Sequence, residues 1–172
     1  SSYFAYPVVF AIEQSQPNTF LEVGSVVTSE DYPFLQVLTG IDNDEINFLE
    51  DLEGKTIGMF PGSTTIAQLT YTLNEIGVDP DTVTMQSLSP SLHLDALSSG
   101  SVDAVFSLEP TATIGSLNEI SKVVDIIDKY LPSPCYSGIS AVTQEFEEEN
   151  PEIVSKFVAA HDEAIDYIRE NP

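Results

Sequence analysis

Basic residues are nearly absent from this 172-residue chain, in which five Lys plus Arg stand against 28 Asp plus Glu, for a formal net charge of −23. Arg169 is the sole arginine, and neither Lys nor Arg occurs before Lys55. A field of that sign repels phosphate backbones, and no basic patch exists to release counterions, so nucleic acid is excluded as a partner. The same charge predicts a solvated acidic surface and a monomer.

Cysteine is scarce too. Cys135, flanked by Pro132, Pro134 and Tyr136, has no partner for an internal disulfide and reads as a packed loop residue. His93 and His161 fall on predicted helices with no other metal ligand at a suitable spacing. Asp162 and Glu163 beside His161 point to different faces, so both histidines are expected at the surface or half-buried. The acidic run Glu147, Glu148 and Glu149 precedes Asn150 and Pro151, read as N-cap and first residue of a helix bearing Ile153, Phe157, Ala160 and Ala164. That run reads as a solvated approach to the helix. No nucleophile elbow, phosphate-loop lysine motif or zinc signature occurs, and Ser63 has no base placed for it. The expectation is a binding protein with no cofactor, no metal and no catalytic residue. No secretory signal is visible.

What the sequence does contain is a repeated strand, turn and helix pattern. Residues 55–60 carry an apolar strand signal, Pro61 and Gly62 break it, and Ser63, Thr64 or Thr65 can cap a helix whose apolar stripe is Ile66, Leu69, Leu73 and Ile76. Gly77 ends that helix, and a second strand follows over residues 82–88. Ser89, Pro90 and Ser91 open the next helix, with Leu94 and Leu97 facing inward and Gly100 at its end. A third strand over residues 102–108 runs into Glu109, Pro110 and Thr111, where Pro110 suits a first helical position, and a fourth is expected over residues 122–127. With 42% hydrophobic residues the chain can bury a substantial core.

Right-handed crossovers between parallel strands place these turns along one edge of one sheet, where open α/β folds bind ligands. The first turn of the helix after Gly62 presents free N–H groups and a partial positive charge to that edge. The candidate binding residues are therefore Gly62, Ser63, Thr64, Thr65, Ser89 and Glu109, with Ser91 and Thr111 nearby. No guanidinium is available among them. An anionic ligand must be held by amides and hydroxyls, whereas a neutral or cationic one suits the acidic background, with Glu109 as acceptor or counter-charge. Glu109 can equally close a turn and cap a helix.

The run Asp51-Leu52-Glu53-Gly54-Lys55-Thr56-Ile57-Gly58, followed by Gly62-Ser63-Thr64, resembles the opening of the second lobe in extracytoplasmic solute-binding proteins of ABC importers. The group is the one serving sulfonates, nitrate and thiamine-precursor pyrimidines. The same family is resembled by Ile76-Gly77-Val78-Asp79-Pro80-Asp81-Thr82-Val83, by Ala96 through Phe106 running to Glu109-Pro110, and by Phe146 through Val154. The resemblance covers roughly residues 20–170. It implies a two-lobed type II periplasmic-binding-protein fold, α/β with a mostly parallel sheet flanked by helices. It also implies capture of a small polar or anionic organic solute in an interlobe cleft, and delivery by hinge closure to an ABC permease in the membrane, outside the cytoplasm.

On that pattern residues 1–45 form part of lobe one, with a helix over 6–13 and strands over 20–28 and 34–39. Residues 46–54 form a crossover, within a broader crossover segment at 40–54. Residues 55–130 form lobe two, and 131–172 a return crossover, strand and helix. The chain then looks like a fragment lacking the start of lobe one. Ser2 and Tyr3, which follow a ligand-facing turn in the resembled family, and Tyr136 are further candidates to stack on or hydrogen-bond the solute. Ordinary packing is the alternative role for each tyrosine. Two other functions fit the scaffold: an enzyme such as a thiamine-pyrimidine synthase or a small-carboxylate dehydratase, and the sensor domain of a signalling protein.

Overall fold

Eight strands follow one another among the described residues: β1 (Ser2–Phe4), β2 (Phe20–Thr28), β3 (Leu35–Gly40), β4 (Thr56–Met59), β5 (Thr84–Ser87), β6 (Ala104–Leu108), β7 (Ser121–Ile126) and β8 (Cys135–Thr143). The helices are α1 (Ser63–Glu75), α2 (His93–Ser99), α3 (Thr111–Leu117), α4 (Gln144–Glu149) and α5 (Pro151–Glu170), joined by short 3-10 turns. These elements come from a computed structural model that describes residues 2–4, 14, 16, 19–29, 33–132 and 135–171. The helix expected over residues 6–13 lies outside the described residues. No helix among them is long and apolar enough to cross a membrane.

The chain divides into two units, Thr28–Cys135 and Ser1–Val27 with Tyr136–Pro172. In the first, the sheet order is β5-β4-β6-β3-β7. Strands β4, β5 and β6 run parallel, and β3 runs antiparallel to both β6 and β7. Side-chain alternation explains the layering, because neighbours along a strand face opposite sides. Leu35, Val37, Ile57, Met59, Ala104 and Phe106 meet Leu69 and Leu73 of α1 and Leu49 and Leu52 of the turn before β4. Leu38 and Val105 meet Ala96 and Leu97 of α2 and Ala112 of α3 on the other side. The sheet is thus sandwiched between two helical layers, as an α/β fold requires.

Close approach sets one residue choice on that second side. A Cβ on Gly115 would sit 2.1 Å from Ser121 Oγ and 2.8 Å from Leu94 Cδ2, so only glycine lets α3 lie this near β7. At the end of α1, Gly77 (φ +81°) donates its N–H to the Asn74 carbonyl and Val78 donates to Leu73, closing the helix where the sequence places its end.

One expectation needs correction. The strand assigned to lobe one over residues 34–39 is β3, which hydrogen-bonds between β6 and β7 in the five-stranded sheet. Strand periodicity reports which face is buried, and says nothing of which sheet the strand joins. Within residues 40–54, Ile46, Leu49 and Leu52 are buried in the main core, and Asp51 accepts N–H bonds from Asn47 at 2.8 Å and Phe48 at 3.0 Å. Those two amides hold the Asp51 carboxyl below its ordinary range.

The second unit has the sheet order β1-β8-β2, with Tyr3 opposite Ser140 and Phe4 opposite Ile139 in an antiparallel ladder. Ile139 and Ala141 are buried with Phe20 against them. Thr143 caps α4 through the Phe146 N–H at 3.2 Å, and Pro151 occupies the first turn of α5 as the sequence predicts. His161 stands 3.0 Å from the position a Cβ on Gly24 would take, half-buried as expected.

Candidate functional site

Because β4, β5 and β6 are parallel, their C-terminal ends share one rim of the five-stranded sheet. The residues that leave those ends are Phe60 to Gly62, Leu88 to Ser91, and Glu109 to Thr111. The reversed strand β3 begins at the same rim, where Leu35 pairs with Leu108 and Gln36 with Ser107. The structure therefore brings the turns bearing Gly62, Ser63, Thr64, Thr65, Ser89 and Glu109 to one edge. Ser2, Tyr3 and Tyr136 lie in the other unit, on β1 and β8. The side chains of those three residues and of Ser63 are outside the described part.

The turn after β4 depends on Gly62, whose φ of +155° with ψ of 150° is a combination that side-chain-bearing residues rarely adopt. No side chain caps α1 at that residue, and its first turn carries no acidic residue. The leading amides are thereby left to face the rim, where the helix dipole favours acceptor oxygens. Thr65 is buried, and its hydroxyl donates to the carbonyls of Phe60 at 2.8 Å and Gly62 at 3.2 Å. That hydroxyl shapes the turn and is already committed, and Thr64 beside it is half-buried. Beyond Met59 a cavity of about 140 Å³ opens, lined by Phe60, Pro61, Gly62, Ile66 and the β5 residues Met85 to Ser87. Ile66, expected in the apolar stripe of α1, is 48% exposed and lines this cavity instead.

The second turn is braced from below. His93, expected at the surface or half-buried, is wholly buried: its Nδ1 lies 3.0 Å from Ser107 Oγ and its Nε2 3.3 Å from the Leu88 carbonyl. Burial pushes its pKa below the ordinary value. A neutral ring with its proton on Nε2 fits both contacts, donating to Leu88 and accepting from Ser107. Helical periodicity gave no hint of this pair, since its members sit on different elements. Ser107 and His93 are both solvent-inaccessible, so the pair is a strut between β6 and α2 with no surface to offer a substrate. Ser89 is exposed, and its hydroxyl lies 3.1 Å from that of Ser91.

At the third turn Glu109 is fixed on both oxygens. Gln36 Nε2 donates to Oε1 at 2.6 Å, and the Thr113 N–H donates to Oε2 at 3.2 Å. The second bond is the helix-capping role, here from a residue that still lies half-buried on the rim. The bond from Gln36, on a strand the sequence placed in another lobe, was not legible. Asp128, just past β7, was also missed. It is buried, and Oδ2 accepts the N–H groups of Phe34 at 2.7 Å and Leu35 at 2.6 Å.

A larger depression, about 530 Å³, lies at the opposite edge of the same sheet, lined by residues such as Gly40, Asp42, Asn43, Asp103 and Glu119. Several of its polar groups already have structural duties. Asp103 accepts the Thr56 N–H at 2.7 Å, and Asn43 Oδ1 accepts from Glu45 and Ile46. Among the described residues no cluster of His, Cys, Asp and Glu could hold a metal ion.

Comparison with known proteins accords with this architecture. The family model described as NMT1/THI5 like matches residues 13–172. A Brucella abortus (strain 2308) protein named as a binding protein is 28% identical over 127 residues, spanning 72% of this chain and 39% of its own length. The periplasmic aliphatic sulphonate binding protein SsuA of Escherichia coli superposes with a TM-score of 0.71 at 20% identity, over 92% of this chain and 52% of that one. The alkanesulfonate-binding protein SsuA of Xanthomonas axonopodis pv. citri, solved with MOPS bound, gives 0.72 at 20% identity, over 98% and 57%. These structures share the fold of periplasmic binding proteins, and this chain spans about half the length of each. The chain belongs to the NMT1/THI5-like family.

Proposed function

From that membership and from the rim, we propose that this chain forms part of the substrate-binding component of an ABC-type importer. It captures a small polar organic solute and releases it to a membrane permease outside the cytoplasm. The observation that carries the reading is the convergence of three parallel strand ends on one rim, with α1 leaving its first amides uncapped beside a cavity. Amides and hydroxyls there can orient a solute, and water exclusion would strengthen each hydrogen bond.

Gly62, Ser63, Thr64, Ser89 and Glu109 are the proposed contacts, with Thr65 holding the first turn in shape. Ser2, Tyr3 and Tyr136 are proposed as contacts from the other unit. The reading assigns the protein binding without turnover. Among the described residues of this unit, the serine and histidine that lie within hydrogen-bonding distance, Ser107 and His93, are sealed from solvent. Relatives named as binding proteins support the same choice.

Native mass spectrometry of the complete natural protein, as purified from its source, tests this. The expected result is a co-purified small molecule at one per protein, lost in the Gly62→Asp variant. Chemical conversion of that molecule on prolonged incubation would contradict it.

A further inference from the structure

We infer that His93 is a positioning residue for the rim: it anchors the second turn to β6, and its protonation releases that turn and weakens solute binding. The inference rests on the proposed function and adds a means of regulation to that site.

The second turn needs an anchor. It follows β5, the last strand in the order β5-β4-β6-β3-β7, which pairs with β4 on one side and whose Thr84, Gln86 and Ser87 are exposed. Chain leaving such an edge is held less firmly than chain leaving β4 or β6, each of which has a strand on both sides. Leu88 makes the first half of the attachment. Its N–H donates to the Met59 carbonyl at 2.7 Å, and its side chain lies over Gly58, where a Cβ would stand 2.9 Å from Leu88 Cδ2. His93 makes the second half, from β6. Its Nε2 reaches the Leu88 carbonyl while its Nδ1 meets Ser107, which β6 presents opposite Gln36, the donor that fixes Glu109. One ring thus ties the turn bearing Ser89 to the strand that ends before Glu109 and, through Leu88, to the strand that ends before Gly62.

Protonation works against this arrangement. In the neutral ring Nε2–H donates to Leu88 and Nδ1 accepts from the Ser107 hydroxyl. A proton added at Nδ1 makes it a donor, so the hydroxyl must reverse in a place with no exposed surface. The added charge is wholly buried and meets no counter-charge among the described residues. Within their bounds β3, β4, β5, β6, α3 and the turn at 90–92 contain no ionisable side chain, and Asp95, the acid on α2, is exposed. Asp103 and Glu109, which flank β6, are bonded to Thr56 and to Gln36 and Thr113. A buried cation without a partner is relieved when the ring moves toward solvent, which frees the Leu88 carbonyl and the turn beyond it. Binding then weakens as the pH falls through the folded pKa, which burial holds below the ordinary imidazole value of about 6.5.

The test uses the complete natural protein and the solute that co-purifies with it. NMR of the imidazole gives the folded pKa of His93 directly, and calorimetry follows affinity from about pH 8 down through that titration. Affinity is expected to be level above the pKa and to fall below it, approaching tenfold per pH unit, with the Leu88, Ser89 and Glu109 amides shifting in step with the ring. His93→Gln, whose side-chain amide can donate to Leu88 and accept from Ser107, should keep the affinity at neutral pH and lose this step. His93→Phe should weaken binding about fivefold at neutral pH, the scale of one lost hydrogen bond. His161→Gln, in the other unit, should change neither. The wild-type titration decides the question if neither His93 variant folds. Affinity that stays level while the ring titrates, or a ring that stays neutral down to acid unfolding, overturns this inference and leaves the functional reading intact. Absence of any co-purified solute overturns both.

Discussion

The two edges of the five-stranded sheet differ in a way that volume alone misreports. The edge where β4, β5 and β6 begin has the larger depression, about 530 Å³, yet Asp103 and Asn43 there are occupied in holding backbone amides. The edge where those strands end has a cavity of about 140 Å³, but its helix start is uncapped and its Glu109 is fixed with acceptor capacity to spare. Binding follows from polar groups left available in fixed positions, and depth only adds to that. The difference also reflects geometry: parallel strands deliver helix N-termini to one edge and helix C-termini to the other.

Substitutions that respect this contrast should separate binding from stability. The largest effect is expected from Gly62→Asp, which adds a carboxylate at the helix start and a side chain at φ +155°. Loss of at least about one hundredfold in affinity for the co-purified solute is the expected outcome, read by calorimetry. Retained affinity would break the comparison.

Asp128→Ala comes next, on stability. Removing the acceptor of two N–H groups, one of them on a buried residue, should cost about 3 kcal/mol in urea unfolding, since each unsatisfied buried donor costs about 1–3 kcal/mol. At the other edge, Asp103→Ala should cost less, about 1–2 kcal/mol for its one amide partner, and leave affinity unchanged.

His93 supplies a smaller, pH-dependent effect. Its folded pKa lies below the unfolded value of about 6.5, so the unfolded chain takes up a proton first as the pH falls. The stability of the wild type minus that of His93→Gln should therefore be flat above about pH 7. It should decline as the pH drops below about 6.5 toward the folded pKa. A difference that grows on acidification would contradict the neutral strut. Smallest of all is Glu45→Gln, which removes the exposed partner of Lys55. The melting temperature should stay within experimental error, because an exposed pair of this kind contributes little.

Much of this contrast was legible in the sequence where chemistry and periodicity are local. The parallel strands, the break at Pro61 and Gly62, the glycine at the end of α1 and the convergence of turns on one edge follow from residue type and spacing. Ile66 went to the cavity because a helix start projects past the sheet it covers, which no stripe of apolar residues reveals. The partners that complete the rim arrive from afar. Gln36 and Glu109 are 73 residues apart, and Phe34 and Asp128 are 94 apart. Both depend on β3 entering the sheet antiparallel between β6 and β7. A strand's sequence records its alternation, and its sheet neighbours are chosen by packing in three dimensions.

The most direct test of the rim is amide chemical-shift mapping by NMR on the complete natural protein, with and without its co-purified solute. The account predicts the largest changes at the amides of Ser63, Thr64, Thr65 and Glu109. Changes concentrated instead at Gly40 to Asn43 and Gly100 to Asp103 would put the solute at the other edge and contradict it.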